Sequence, residues 1–504
     1  MVAMELREHQ ISAIDLLRRS IATGHKRPLL FAPCSFGKTI CAAHIADLAG
    51  QKGNKTLFLV HRRLLANQTK EKFDAYGLHS SIIMAGYETD FTAPVMITTH
   101  QTYSRRLQLC SPEANRFFHD AACLIVDEAH LGISPSFKKI YDFYQGKVII
   151  GLTGSPARAD QRGLGEVFDD IVEAVGVQEL TDAGYLAPAR YYSPFTVNSS
   201  GIPIVAGDFS KRHMQKKFNT KALNGNVVSN WIRLGEGRPT IVFTSGVKHS
   251  KGLQAEFSRM GIPAAHLDSY SSDEERQDVL SAFRAGDITV VTNCQLFTEG
   301  YDADFVEVIC LARSTLSYPL YVQMVGRGQR IFDGKADFAV LDFGGNVNRF
   351  GFISDPVIWS LSGKERAWKK PELKEKEKKN LTCNMCGLVF PAQRKCPECM
   401  TEIQDYGKKM EVVEADLKLV GGKRAKENFT MDDKRRWWAM FEYERRRLGK
   451  TESWLKAQYR SKFGVWYKGM EGVAPKEPDQ VVKNWLIYQR VKYFKAREKQ
   501  AAAQ

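Results

Sequence analysis

Short apolar runs recur along the first two thirds of this chain, each followed by an amphipathic stretch long enough for a helix. In the first 190 residues they fall at 27–31, 56–60, 95–98, 124–126 and 148–152. Runs of this length suit strands buried on both faces, and helix-length connections are what parallel pairing requires. An α/β fold with a doubly wound parallel sheet is therefore expected. An irregular Gly/Pro/Ser-containing stretch lies around residues 193–210, and the pattern then returns at 240–243, 288–291, 306–311 and 338–342. Two similar lobes in tandem, residues 1–190 and 215–355, with a cleft between them, are the simplest reading. A charged connector at 369–379, containing Pro371, closes this part, and beyond it the alternation stops.

Two strand ends carry chemistry. After the first run comes Ala32-Pro33-Cys34-Ser35-Phe36-Gly37-Lys38-Thr39, followed by a helical stretch rich in small residues. A strand, a tight loop ending Gly-Lys-Thr and a helix turn backbone N–H groups toward phosphates. In this arrangement Lys38 meets the β/γ-phosphates and Thr39 ligates Mg²⁺. The loop departs from the usual pattern in having Ala32 in place of its first glycine and Ser35 in place of a later one. Further on, the run Cys123-Leu124-Ile125-Val126 stops in Asp127-Glu128-Ala129-His130. Acids at that position sit at the carboxyl edge of the sheet, where open α/β folds bind ligands. Asp127 suits Mg²⁺, and Glu128 suits orienting or deprotonating an attacking water.

More pieces fall into order around these two: Leu6-Arg7-Glu8-His9-Gln10, Thr153-Gly154-Ser155, Thr298-Glu299-Gly300-Tyr301-Asp302, and Gln323 through Arg330 in Gln-Met-Val-Gly-Arg-Gly-Gln-Arg. Over residues 5–345 this ordered set closely resembles superfamily 2 helicases of the DEAH-box type. The resemblance implies RecA-like lobes and an ATP hydrolase. It implies that Arg7 and Gln10 recognise adenine, that Gly37, Lys38 and Thr39 hold the triphosphate, and that Asp127 and Glu128 manage metal and water. His130, Thr153, Ser155 and Gln323 would couple nucleotide to lobe movement. Gly300 and Asp302 would approach the ribose, and Arg327 and Arg330, three residues apart on one expected helix face, would reach across the cleft to the γ-phosphate. Similarity to motifs Ia, Ib, IV and V implies nucleic-acid contacts at Arg62, at Thr99, Gln101 and Arg105, at Thr244 and Ser245, and at Thr292.

Downstream, Cys383, Cys386, Cys396 and Cys399 form two Cys-x2-Cys pairs, a spacing that suits a tetrahedral structural Zn²⁺ in a ribbon at residues 380–402. The other six of the ten cysteines are scattered, as expected of reduced thiols. Charge is uneven: residues 361–504 hold 34 Lys and Arg against 20 Asp and Glu, while residues 1–360 hold 38 against 37. A basic appendage on a neutral body is a footprint of polyanion binding. Within it, residues 431–470 interleave Trp437, Trp438, Trp454 and Trp466 with arginines and lysines. Such a region, at 425–504, suits a small helical core, a base-stacking platform, or both. Its Tyr459-Arg460-Ser461-Lys462-Phe463-Gly464-Val465-Trp466 segment resembles the tail of RadD-like helicases, related to the XPB-like arrangement.

These features lead to an expected ATP-dependent DNA helicase or translocase acting in repair, recombination or replication. Its partners would be single-stranded or branched duplex DNA and single-strand-binding or recombination proteins. An RNA helicase and a non-hydrolysing nucleic-acid scaffold are the alternatives. No run of about 18 apolar residues and no leader-like hydrophobic segment occurs. The expected setting is therefore the cytoplasm of a bacterium, or of one infected by a virus, without a membrane partner.

Overall fold

The computed structural model of the 504-residue chain describes residues 5–103, 111–158, 163–193, 201–205, 207–294, 296–297, 303–362, 367–369, 380–382, 389–391, 418–421, 429–479, 481–483, 485–486 and 489. Two seven-stranded sheets dominate it. The first comprises β1 (Pro28–Phe31), β2 (Lys55–Val60), β3 (Ser80–Ile82), β4 (Val95–Thr99), β5 (Ala121–Val126), β6 (Val148–Thr153) and β7 (Asp170–Glu173). Every pairing is parallel, in the order β3-β4-β2-β5-β6-β1-β7. Alternate residues of its apolar runs feed two cores. Leu57, Leu59, Leu124 and Val126 pack on one face, while Phe58, Val60, Ile125 and Leu152 pack on the other.

The second sheet contains β8 (Ala189–Ser193), β11 (Thr240–Thr244), β12 (Ala264–Leu267), β13 (Val290–Asn293), β14 (Val308–Ala312), β15 (Phe338–Asp342) and β20 (Lys418–Gly421), ordered β12-β13-β11-β14-β15-β8-β20. All its pairings are parallel except that of β20 with β8. Two expectations are corrected here. The second lobe begins with β8 at residue 189 rather than at 215, and β20 returns to it from beyond the charged connector. Neither strand carries a long apolar run, since pairing with distant chain fixes both. Arg190 at the start of β8 is locked by Asp337, just before β15, through a buried ion pair of 2.8 Å.

The lobes touch at several points. Residues 358–362 leave the second lobe and return to the first, where Gly163 N donates to Ser362 O and Gly165 N to Leu361 O, both at 2.8 Å. Both donors must be glycine, because a Cβ on either would strike the Leu361 backbone. Trp359 meets Phe31 at 5.1 Å between ring centroids. Farther along, β18 (Asn380–Thr382) and β19 (Val389–Pro391) pair as a hairpin on either side of the first cysteine pair. All four clustered cysteines lie outside the described residues. So does Cys110, while Cys34, Cys41, Cys123, Cys294 and Cys310 are free thiols.

Helices Met431–Arg447 and Glu452–Phe463 then pack through Trp437, Trp438, Phe441, Leu455 and Tyr459, with Trp485 beside them. Most aromatics of the basic tail are thus core. Trp466 differs: it is 60% exposed, with the Arg460 guanidinium 4.5 Å from its ring centre. No helix among the described residues is long and apolar enough to cross a membrane.

Candidate nucleotide site between the lobes

The carboxyl ends of β1, β6 and β5 are neighbours along one sheet edge, and each delivers one part of the site. Following β1, the loop closes on Gly37 at φ +93°, a left-handed conformation, and helix α2 (Lys38–Gln51) starts there without a side-chain cap. Its first N–H groups therefore stay available to an anion. Lys38 Nζ donates to Ala32 O and Pro33 O, each at 3.0 Å, which leaves its third donor for a phosphate oxygen. Gly154, after β6, faces that ammonium, and a Cβ there would lie 3.5 Å from Nζ.

Ser35 stands at φ +66°, and Glu128, after β5, at φ +46°. Among the described residues only Glu236 shares this left-handed conformation without being glycine. Each such residue costs about 1–2 kcal/mol, and concentration of that strain in one place marks a functional site. The turn at Glu128 also stacks two carboxyls. Burial, and then Glu128 beside it, push the Asp127 carboxyl well above the usual carboxylate range, while Lys38 pulls it down. One Asp127 oxygen accepts from Glu128 N at 3.0 Å. The donor set offered to a metal is the half-buried Asp127 carboxylate with the Thr39 hydroxyl, hard oxygen ligands that suit Mg²⁺, whose charge would favour the ionised form.

A directional line of hydrogen bonds crosses the cleft. The Gln323 amide nitrogen of the second lobe lies 3.0 Å from His130 Nε2, and since an amide nitrogen only donates, that ring nitrogen accepts. The ring proton therefore sits on Nδ1, 3.1 Å from Thr153 Oγ1 and 3.4 Å from the Glu128 carboxylate. Thr153 Oγ1 in turn donates to Ser155 O and accepts from Ser155 N. Thus the four expected coupling residues meet, and they join the acid strand end to the opposite lobe. Replacing Gln323 by Ala removes a cross-lobe donor to His130. Nucleic-acid-stimulated ATP turnover should fall in Gln323→Ala and His130→Ala, and their combination should miss additivity by about 0.5–3 kcal/mol. Strictly additive losses in an ATPase double-mutant cycle would show that the two side chains do not act together.

The arginine pair is arranged differently from expectation. Helix Tyr318–Gly326 ends at Gly326, Arg327 is its C-cap, and Arg330 lies past the turn, so the two do not share a helix face. Glycines set this end. A Cβ on Gly328 would collide with the Phe338 ring, and one on Gly326 would come within 2.8 Å of Cys34 Sγ. Gly326 therefore backs directly onto the phosphate loop, which brings Arg327 to that loop from the other lobe. Arg330 is within electrostatic reach of Lys335, whose ammonium burial pushes down to about 7.

On the base side, Gln10 is buried under the loop. Its amide donates to Phe36 O at 3.1 Å and accepts from Arg7 N at 3.0 Å, leaving one N–H and one lone pair. Arg7 lies 5.1 Å over the Tyr185 ring, which also meets His9 at 4.5 Å. Sequence reading missed Tyr185 and Cys34. Tyr185 belongs to no motif and Cys34 stands in the phosphate loop without a role of its own, so only the tertiary contacts with Arg7 and Gly326 reveal them.

Of the expected nucleic-acid contacts, Arg62 and Gln101 are exposed at the ends of β2 and β4. Thr99 is nearly buried and caps the next turn, its hydroxyl bonded to Thr102. Thr244, Ser245 and Thr292 are 1%, 2% and 0% exposed. Their hydroxyls go to Asn293 O, to the His249 ring, and to Ser250 O respectively, on the neighbouring strand and the helix that follows β11. Arg105, Gly300 and Asp302 lie outside the described residues.

Comparison with known proteins agrees with this geometry. Residues 3–158 match the family described as type III restriction enzyme, res subunit, and residues 224–332 match the helicase conserved C-terminal domain. One match on each lobe supports a superfamily 2 helicase, a nucleic-acid helicase driven by ATP. More particularly, the chain is 28% identical over 422 residues to a 51.5 kDa protein of a Lactococcus phage, covering 81% of this chain and 87% of that one. It is 30% identical over 378 residues to IRC3 of Saccharomyces cerevisiae, named as an ATP-dependent helicase, covering 71% of this chain and 54% of the yeast protein. The chain thus spans only about half the length of that relative. A solved fragment of an HsdR subunit of a type I restriction enzyme from Vibrio vulnificus shares the fold, with TM-score 0.55 and 22% identity over 68% of this chain and 65% of that one.

Proposed function

We propose that the chain is a DNA translocase or helicase that couples ATP hydrolysis between its lobes to movement along DNA, in repair, recombination or replication. The observation that carries this reading is the line from Gln323 through His130 to Thr153 and Glu128, which joins the second lobe to the acids of the first. In this reading Gln10 and Arg7 hold the adenine, with the Tyr185 face beside them. Lys38 and the free N–H groups of α2 hold the phosphates. Asp127 and Thr39 hold Mg²⁺, which when bound neutralises phosphate charge. Glu128 orients and deprotonates the attacking water, and Arg327 and Arg330 stabilise the charge that develops on the transferred phosphoryl group. Gly300 and Asp302 approach the ribose. Arg62, Gln101 and Arg105 contact the strand, Thr99 holds the turn that carries Gln101, and Trp466 under Arg460 offers a base-stacking surface.

The same reading assigns structural Zn²⁺ to Cys383, Cys386, Cys396 and Cys399, supported by their spacing. It places the chain nearest RadD-like, XPB-related helicases in a bacterial cytoplasm, with single-strand-binding or recombination proteins as partners. The test is ATP turnover with single-stranded DNA, duplex DNA and RNA in parallel. DNA is expected to raise the rate by about 10-fold or more. Stimulation by RNA in preference to DNA would overturn the DNA assignment.

A further inference from the structure

The irregular connector after β8 is a built element. It forms a hairpin, β9 (Ile204–Val205) with β10 (Asp208–Phe209), followed by helix Lys211–Phe218. Ile202, Phe209, Met214 and Phe218 make its underside, packed with Leu316. Contacts from two of its residues fix where it sits. Asp208 accepts from Leu316 N and Thr315 Oγ1, each at 2.7 Å, and from Arg313 at 3.3 Å, all on the loop after β14. Gln215 accepts from Lys248 N at 3.1 Å, on the helix after β11, where only a glycine at 246 leaves room for its amide. Burial pushes the Cys294 thiol, just past β13, upward, and Arg313 and Lys211 oppose that push. Because β11 and β14 are adjacent in the sheet, the insertion lies at the carboxyl ends of two neighbouring strands.

That edge is where doubly wound sheets bind their ligands. Its own hydroxyls, on Thr244, Ser245 and Thr292, are buried and taken up by Asn293, His249 and Ser250. What the insertion presents in their place is cationic and apolar. Its helix, Lys-Arg-His-Met-Gln-Lys-Lys-Phe, contains no acid. Arg212 and Lys216, one turn apart on the side away from Met214 and Phe218, are both exposed, as is Lys211. Ile204 and Val205 of the hairpin are 63% and 62% exposed.

We propose that this insertion is the nucleic-acid grip of the second lobe, with Arg212 and Lys216 on neighbouring phosphates of one strand and Ile204 and Val205 against its bases. Phosphate contacts of this kind bind without reading sequence, as a motor requires. Apolar residues that meet base faces add affinity without demanding a particular base. The inference rests on the nucleic-acid motor reading above.

The test is binding of a fluorescent single-stranded DNA oligonucleotide by the full chain across a salt series, with Arg212→Glu/Lys216→Glu compared with Lys26→Glu/Lys52→Glu. The second variant makes the same charge change on exposed lysines at the amino edge of the first sheet. Thermal melting serves as the control for folding. Each lost phosphate contact should lower the slope of log affinity against log salt by about 0.7–1, so the Arg212/Lys216 variant should lose about 1.5–2 in slope. Its affinity should fall about 10-fold or more at moderate salt, well beyond the control pair. Equal losses in the two variants would overturn the grip alone. A parent chain that binds no nucleic acid would overturn the motor reading itself.

Discussion

Arg327→Ala is expected to lower ATP turnover by about 10³-fold while leaving nucleotide affinity nearly unchanged, the signature of a guanidinium that acts across a cleft on a transferring phosphoryl group. Arg327 follows Gly326, whose close approach to Cys34 ties the end of helix Tyr318–Gly326 to the phosphate loop. The guanidinium comes from one lobe and the phosphates are held by the other. Charge stabilisation is therefore available only when the lobes stand together, and it is felt in the transition state more than in binding. Lysine should not restore the rate, because an ammonium lacks the planar fork that meets two phosphate oxygens. Steady-state ATP hydrolysis paired with binding of a fluorescent nucleotide separates the two quantities. Equal losses of rate and affinity would place Arg327 outside the reacting centre.

Glu128→Gln should reduce turnover by about 10²- to 10⁴-fold, the usual range for removing a general base. Binding should behave in the opposite way. Glu128 is a cause of the raised Asp127 pKa, so removing its charge brings that carboxyl back toward its ordinary range. A carboxylate that stays ionised to lower pH holds a divalent cation better, so metal-dependent nucleotide binding should persist or tighten in the variant. Glutamine also keeps the length of the side chain at the strained φ of +46°. ATP hydrolysis and nucleotide titration at neutral pH would check both halves. Turnover within 10-fold of the parent would remove Glu128 from the role of base.

The parts of this account that were legible in the sequence are those fixed by local chain. Apolar runs that bury both faces read as parallel strands. Gly37-Lys38-Thr39 and Asp127-Glu128 read as strand-end chemistry because a parallel sheet brings the ends of β1 and β5 to one edge. What stayed hidden depends on distant partners. Strand β8 exists because β15 pairs with it, and Ala-Arg-Tyr-Tyr-Ser carries no such mark. The hairpin and helix at 202–218 looked like a linker, since their hydrophobic set is small and Asp208 finds its partners about a hundred residues later, on the loop after β14. Thr244, Ser245 and Thr292 are covered for a similar reason, their hydroxyls taken up by Asn293, His249 and Ser250 of the same lobe. Helix geometry at Arg327 failed for a related reason. The i, i+3 spacing predicts a shared face, but Gly326 and Gly328, required by Cys34 and Phe338, end the helix first.

All of these assignments depend on ATP being hydrolysed at a site that Lys38 anchors and that DNA drives. ATP turnover of the parent chain and of Lys38→Ala, each with and without single-stranded DNA, tests that dependence most directly. The parent should be stimulated by DNA and the variant should be inactive in both conditions. Equal turnover in the two proteins, or no turnover in the parent, would contradict it.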